Sequence, residues 1–331
     1  MIGRKYDFVA IGDLVTDAFI KLKDARVKCD ANGENCMLSM RFGDKIPYED
    51  VTVVPAVGNS VNAAISASRL GLKSALVSHV GGDQNGKDAL RVLREERVSR
   101  KFVKVNKRMD TNYHYVLSYK GERTILIKSE EFTYSLPAMG KPKWIYLSSI
   151  GEKGLVRFHK EIERYLATHE NVKLAFQPGT YQIKLGEKLS GTYKRAEVVF
   201  VNKEEAQRIL GKKDNDIKKL LDELCALGTK IAVITDGRKG AYMHEGKEYW
   251  YTPMYPDTQP PIERTGAGDA FASTFVAALA LGKSTKEALV WGPINSMSVV
   301  QHIGAREGLL SRHTLVKLLN KAPKVYRLKK I

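Results

Sequence analysis

The stretch Arg264-Thr265-Gly266-Ala267-Gly268-Asp269-Ala270-Phe271 stands at the mouth of a long apolar helical segment that runs on through Phe275 and Val276 to Leu279. Two glycines and an alanine at a helix N-terminus leave several backbone N–H groups without intrahelical partners, and the helix dipole adds to their pull on anions. A carboxylate in the same turn repels any phosphate that it does not serve. Asp269 therefore reads as a base for a hydroxyl proton, beside amides of Gly266, Ala267 and Gly268 able to hold a phosphoryl group in transfer. Such transfer asks a protein for little covalent chemistry and much positioning. Taken alone, the stretch also fits an ordinary glycine-rich helix start with Asp269 as a first-turn acid.

At 331 residues and 43% hydrophobic, the chain has material for one large α/β domain or two average ones, and disorder is excluded. No apolar run approaches the roughly 18–20 residues that cross a bilayer. The start, Met1-Ile2-Gly3-Arg4-Lys5-Tyr6-Asp7, lacks the apolar core of a signal peptide. Cys29, Cys36 and Cys225 make an odd number with no disulfide framework and no complete zinc set, so reduced thiols and a cytoplasmic location are expected. The formal charge is +17, from 54 basic and 37 acidic residues. A surplus of that size suits nucleic acid or phosphorylated small molecules. It is spread along the chain, densest from Lys317 to Lys330, without the aromatic-interleaved basic motif of a nucleic-acid module, which weighs against that partner.

A first strand spans Tyr6 to Ile11 and ends in Gly12-Asp13. Short alternating runs follow to about Val57, broken by turn signals such as Asp30-Ala31-Asn32-Gly33. Helical periodicity begins near Asn59 and stops at Gly71; a strand from Ser74 to Val80 and a helix from Gln84 to about Arg97 come next. Residues 112–119 and 123–128 alternate as a hairpin around Lys120-Gly121-Glu122. After Pro142, strands at 144–148, 172–176, 197–201 and 230–235 alternate with helices around 154–168, 183–190, 203–210 and 216–227. A strand pair near 240–244 and 248–251 precedes a mostly helical last third. The alternation implies a parallel sheet covered on both faces. The result is a single α/β domain over 1–331, in which two β excursions, at about 14–57 and 102–130, form a small lid sheet over the carboxyl edge of the main sheet.

Several further motifs stand at element boundaries. Gly58-Asn59-Ser60-Val61-Asn62 opens a helix with a glycine that permits close approach of a ligand. Asn202-Lys203-Glu204-Glu205 follows a buried strand; Asn202 and Glu205 suit magnesium bound through its waters, and they equally suit helix capping. Asp13 and Asp17 fit a turn after a strand or carboxylates accepting from sugar hydroxyls. Thr235-Asp236-Gly237-Arg238-Lys239-Gly240 forms a glycine-bearing loop after another strand.

In these motifs and their order the chain resembles the ribokinase-like (PfkB) family of carbohydrate and nucleoside kinases over nearly its full length, with the Gly-Ala-Gly-Asp block as the most specific element. The resemblance implies a three-layer α/β/α sandwich with a mostly parallel central sheet and a small β-sheet lid. It implies ATP as phosphate donor, Mg2+, Asp269 as catalytic base, and Gly266, Ala267 and Gly268 as its anion hole. Asp17 stands where the family holds sugar hydroxyls, with Asp13 nearby. Gly58 and Asn62 match the second glycine and the asparagine of its substrate motif, with Asn59 between them. Asn202 and Glu205 match the motif that organises magnesium and the nucleotide phosphates. Thr235, Gly237 and Gly240 match its nucleotide loop, and Asn295 and Gly304 fall where it lines the adenine pocket.

Departures from the pattern limit the substrate. Val57 replaces the first glycine of the usual pair, and Asn59 stands where ribokinases carry lysine. Glu263 replaces an aspartate that in some members helps bind activating potassium, and Arg264 beside it suits ATP, a substrate phosphate or plain solvent. Tyr113 and Tyr115 either face the cleft with Thr111 or pack within the lid; stacking on a base favours a nucleoside. Phe176-Gln177-Pro178-Gly179 borders the phosphates or marks a turn. The expected activity is ATP-dependent phosphorylation of a sugar hydroxyl, with a nucleoside or sugar phosphate as alternative acceptor. A non-catalytic regulator that binds metabolites or nucleic acid is the alternative of another class. Lid strands with open edges suit pairing into a homodimer.

Overall fold

The computed structural model describes residues 6–30, 36–120 and 122–331. Phe8–Ile11 is buried at every position, as befits a strand covered on both faces. It pairs in parallel with Trp144–Leu147 on one side and with Ser74–Gly81 on the other. The sheet continues in parallel through Lys173–Phe176, Val198–Asn202 and Ile231–Thr235 one way and to Ser99–Asn106 the other way. Ala241–Glu245, Glu248–Thr252 and Lys329–Lys330 extend it antiparallel to ten strands.

Alternation along these strands feeds two cores. Phe8, Ala10, Tyr146 and Phe200 face helices Asn59–Arg69, Ala267–Ala280 and Thr285–Val299. Val9, Ile11, Leu147 and Val201 face Leu155–Ala167 and Ile217–Ala226. This is the three-layer sandwich. Strand order reverses between Phe8–Ile11 and Trp144–Leu147, and in such sheets ligands bind beyond the carboxyl ends of the strands at that point.

A separate four-stranded sheet is ordered Tyr48–Val57, Val15–Leu22, Asn112–Tyr119, Glu122–Lys128. The excursion expected at 102–130 therefore divides. Ser99–Asn106 joins the main sheet beside Ser74–Gly81, and only the later hairpin enters the small one. Alternation marks a strand but does not say which sheet takes it. The helix expected at 183–190 is also broken: Gly186, at φ +48°, separates Thr180–Leu185 from Ser190–Arg195. The turn expected at 31–33, the hairpin residue Gly121 and the first five residues lie outside the described residues.

Register assigns the faces of the small sheet. Asp17 pairs with His114 and His114 with Ile127; Val116 pairs with Ile125 and Ser118 with Arg123. These side chains share one face with Phe19 and Val54, which meet Gly304 of the main body. Tyr113 and Tyr115 pack on each other at 5.2 Å on the opposite face, so they do not look into the cleft.

Cys29 and Cys36 are directly opposed in the hairpin of Arg26–Cys29 and Cys36–Ser39 and form a disulfide. This corrects the expectation of reduced thiols at both positions: it is the hairpin register that brings them together. Cys225 is free. Among the described residues no helix is long and apolar enough to cross a membrane.

Candidate active site

Gly266 caps the helix Ala267–Ala280 in the left-handed region, at φ +79°, and a Cβ there would lie 2.2 Å from that of Ala305. Only glycine serves both demands. The amides of Gly268 and Asp269 donate to no backbone carbonyl among the described residues, and that of Ala267 reaches only the Arg264 carbonyl, at 3.5 Å. A Cβ on Gly268 would meet nothing closer than Gln177 Nε2 at 4.0 Å. The bare backbone at the helix mouth thus opens onto free space, as an anion cradle requires.

Three carboxamides converge on Asp269. Asn59 and Gln177 donate to Oδ1 at 2.9 and 3.0 Å, and Asn62 donates to Oδ2 at 2.9 Å. Asn59 and Asn62 lie three residues apart on the first turn of one helix, which puts both on the same side. Gln177 is held in turn by the Tyr146 hydroxyl. Burial pushes the Asp269 carboxyl above its ordinary value, against the pull of the amides and of Arg123. The outcome is an oriented carboxylate of raised basicity.

Gly58, at φ +112°, lets the chain pass Asp13, whose carbonyl a Cβ would meet at 2.8 Å. Asp13 accepts from the Tyr134 hydroxyl at 2.7 Å, and burial pushes its carboxyl up to about 6. Asp17 lies 3.5 Å from His114 Nδ1. Asp17 Oδ1, His114 Nε2 and Asn62 Oδ1 are buried with no hydrogen-bond partner. Buried polar atoms are normally satisfied, so each of these three has bonding capacity to spare.

From Asp269 a cleft of about 610 Å³ extends over Asn202, Glu205, Thr235, Gly237 and Gly240. Met254, Pro261, Pro293, Met297 and Val300 give the same cleft an apolar lining. Asn202 and Glu205 form a capping box: Asn202 Oδ1 accepts from Glu205 N, and Glu205 Oε2 accepts from Asn202 N. Burial pushes Glu205 up. Glu204 lines the cleft beside it, and the described residues contain no cluster of three or more metal-ligating side chains. This donor set fits an ion that keeps its waters and arrives on nucleotide phosphates, as Mg2+ does.

Two expected site residues lie elsewhere. Asn295 is wholly buried, donating to Thr274 Oγ1 at 2.7 Å and accepting from Leu310 N at 2.9 Å. At 100° per residue, Pro293, Ser296, Met297 and Val300 share the cleft side of their helix and Asn295 turns to the core. Gly304, at φ +81°, faces Val54 and Phe19 of the small sheet rather than the apolar lining of the cleft. Gln177 orients Asp269 and also lines the cleft beside Gly268. Arg123 lines the cleft and had no motif to flag it; its one signal is a cation alternating with Ile125 and Ile127.

The profile of the pfkB family of carbohydrate kinases matches residues 28–312. An ATP-dependent 6-phosphofructokinase of Thermoanaerobacterium thermosaccharolyticum is 26% identical, over 91% of this chain and 90% of its own length. A ribokinase of Bacillus subtilis is 24% identical, over 85% of this chain and 92% of its own. Among solved structures, an Arabidopsis thaliana ribokinase complexed with ribose and ATP superposes with a TM-score of 0.76 at 19% identity, covering 95% of this chain and 98% of that one.

Proposed function

Since this chain belongs to the pfkB family of carbohydrate kinases, we propose that it transfers the γ-phosphoryl group of ATP to a hydroxyl of a sugar or sugar-containing small molecule, with Asp269 as general base. The observation that carries this reading is the convergence of Asn59, Asn62 and Gln177 on Asp269 beside the free amides of Gly268 and Asp269.

Asp13, Asp17 and Asn62 hold acceptor hydroxyls, and Gly58 lets the start of the helix bearing Asn62 pack against the Asp13 backbone. Asp269 takes the proton as the acceptor oxygen bonds to phosphorus, while the amides at the helix mouth steady the charge on the moving group. Thr235, Gly237 and Gly240 border the donor phosphates, and Pro293, Met297 and Val300 take the adenine ring. Glu205, with Asn202 behind it, receives the water shell of Mg2+. When bound, that ion neutralises phosphate charge. Glu263, pushed up by burial and with Oε1 unbonded, is the residue a monovalent cation meets beside the motif. The inner face of the small sheet excludes water from the reaction.

The test is a coupled ADP-release screen of the purified protein against free sugars, nucleosides and sugar phosphates, in potassium and in sodium. Turnover with at least one acceptor supports the reading. ATP binding without ADP release on any of the three classes contradicts it.

A further inference from the structure

Arg123 belongs to no recognised motif, yet it reaches the place where phosphate chemistry would occur. It lines the cleft together with Asn59, Gly268 and Asp269. It comes from the small sheet, on the face that Asp17 and His114 share. Lys21 on that face is already held by Glu49 at 2.6 Å. Arg123 has no ion pair within 4.0 Å among the described residues, although its charge acts on both Asp269 and Glu263. A guanidinium offers five donors in a planar fork matched to phosphate oxygens, and the unpaired amides of the helix mouth line the same cleft.

On the kinase reading above, we infer that Arg123 is a phosphate-binding residue at the acceptor end of the cleft, contributed by the lid. The phosphoryl group it grips has two sources. One is the γ-phosphoryl in transit. There the acceptor oxygen bonds to phosphorus, the bond to the β–γ bridging oxygen breaks, ADP departs with that electron pair, and the hydroxyl proton passes to Asp269. Arg123 then meets the charge on the equatorial oxygens. The other source is a phosphate already carried by the acceptor, in line with the 6-phosphofructokinase relative. In the first case the cation rides on the lid, so an open lid leaves the moving phosphoryl group without it and transfer to water is suppressed.

The experiment compares wild type, Arg123→Gln and Arg123→Lys in ADP release with neutral and phosphorylated acceptors, and in calorimetric binding of ADP, a non-hydrolysable ATP analogue and hexose 6-phosphates. A grip on the moving group predicts that Arg123→Gln loses about 10²-fold or more in kcat with every acceptor, partly restored in Arg123→Lys, while ADP affinity is kept. A grip on the acceptor predicts a KM rise of about 10²-fold for phosphorylated acceptors alone. Unchanged kcat and KM with both acceptor classes overturn the inference. A wild type that releases no ADP overturns the kinase reading instead, and Arg123 is then judged by binding. Weakened affinity of Arg123→Gln for the ATP analogue relative to ADP, or for hexose phosphate, sustains it, and unchanged affinity for both overturns it.

Discussion

Gln177 donates from Nε2 to Asp269 Oδ1 at 3.0 Å across 92 residues of chain, while the Tyr146 hydroxyl fixes its other end. Two adjacent central strands thereby help set the orientation and basicity of a carboxylate at the mouth of a helix from the last third of the sequence. Replacing Gln177 by Leu removes one of three charge-assisted donors. Asp269 is then expected to rise further, moving the acid limb of the kcat profile to higher pH, with kcat down about tenfold. A profile that stays put would show that Gln177 does not tune the base.

Asp13 is pushed up to about 6 by burial, so in the folded protein it protonates as pH falls through that value. The folded state then binds the proton before the unfolded chain does, and stability attributable to this group rises from about pH 6 down toward the ordinary carboxylate range. Acceptor binding moves the other way, because a neutral carboxyl loses an acceptor site for a hydroxyl. KM for the acceptor is expected to rise below about pH 6 while KM for ATP stays level, and Asp13→Asn flattens the dependence. KM for the acceptor independent of pH across that window contradicts a binding role for Asp13.

Gly266 and Gly268 separate folding from function. Gly266→Ala meets a left-handed backbone and the Cβ of Ala305, so a fall in Tm or loss of soluble protein is expected. Gly268→Ala meets open space inside the protein and gains helix propensity, about 0.5–1 kcal/mol at most. Its methyl occupies the cradle, and kcat/KM for ATP is expected to fall tenfold or more with Tm equal to or slightly above that of wild type. Full activity in Gly268→Ala would remove the helix mouth from phosphate binding.

Asn295→Ala strips partners from Thr274 and from the Leu310 amide inside the core. A loss of about 2–3 kcal/mol in stability is expected, with KM for ATP unaltered. A raised KM at unchanged stability would return this residue to the nucleotide pocket.

What could be read from the sequence was local. The Gly-Ala-Gly-Asp turn, the capping pair Asn202 and Glu205, and the strand–helix alternation after Pro142 each declare themselves within one or two turns of chain. The contacts that tune the site do not: Gln177 on Asp269 and Tyr134 on Asp13 join residues with no shared periodicity, and Arg123 enters from another sheet. The family resemblance alone puts Asn295 in the nucleotide pocket, but its side of the helix follows from packing against Ser66 and Thr274. The Cys29–Cys36 bond and the outward turn of Tyr113 and Tyr115 depend on strand register, which alternation alone leaves free.

The most direct measurement is ADP release by Asp269→Asn with the best acceptor from the screen, alongside calorimetric ATP binding. The asparagine keeps the shape and cannot take a proton. Turnover is expected to fall by about 10³-fold or more, with ATP affinity within a few-fold of wild type. Turnover near the wild-type rate in this variant would contradict Asp269 as the base.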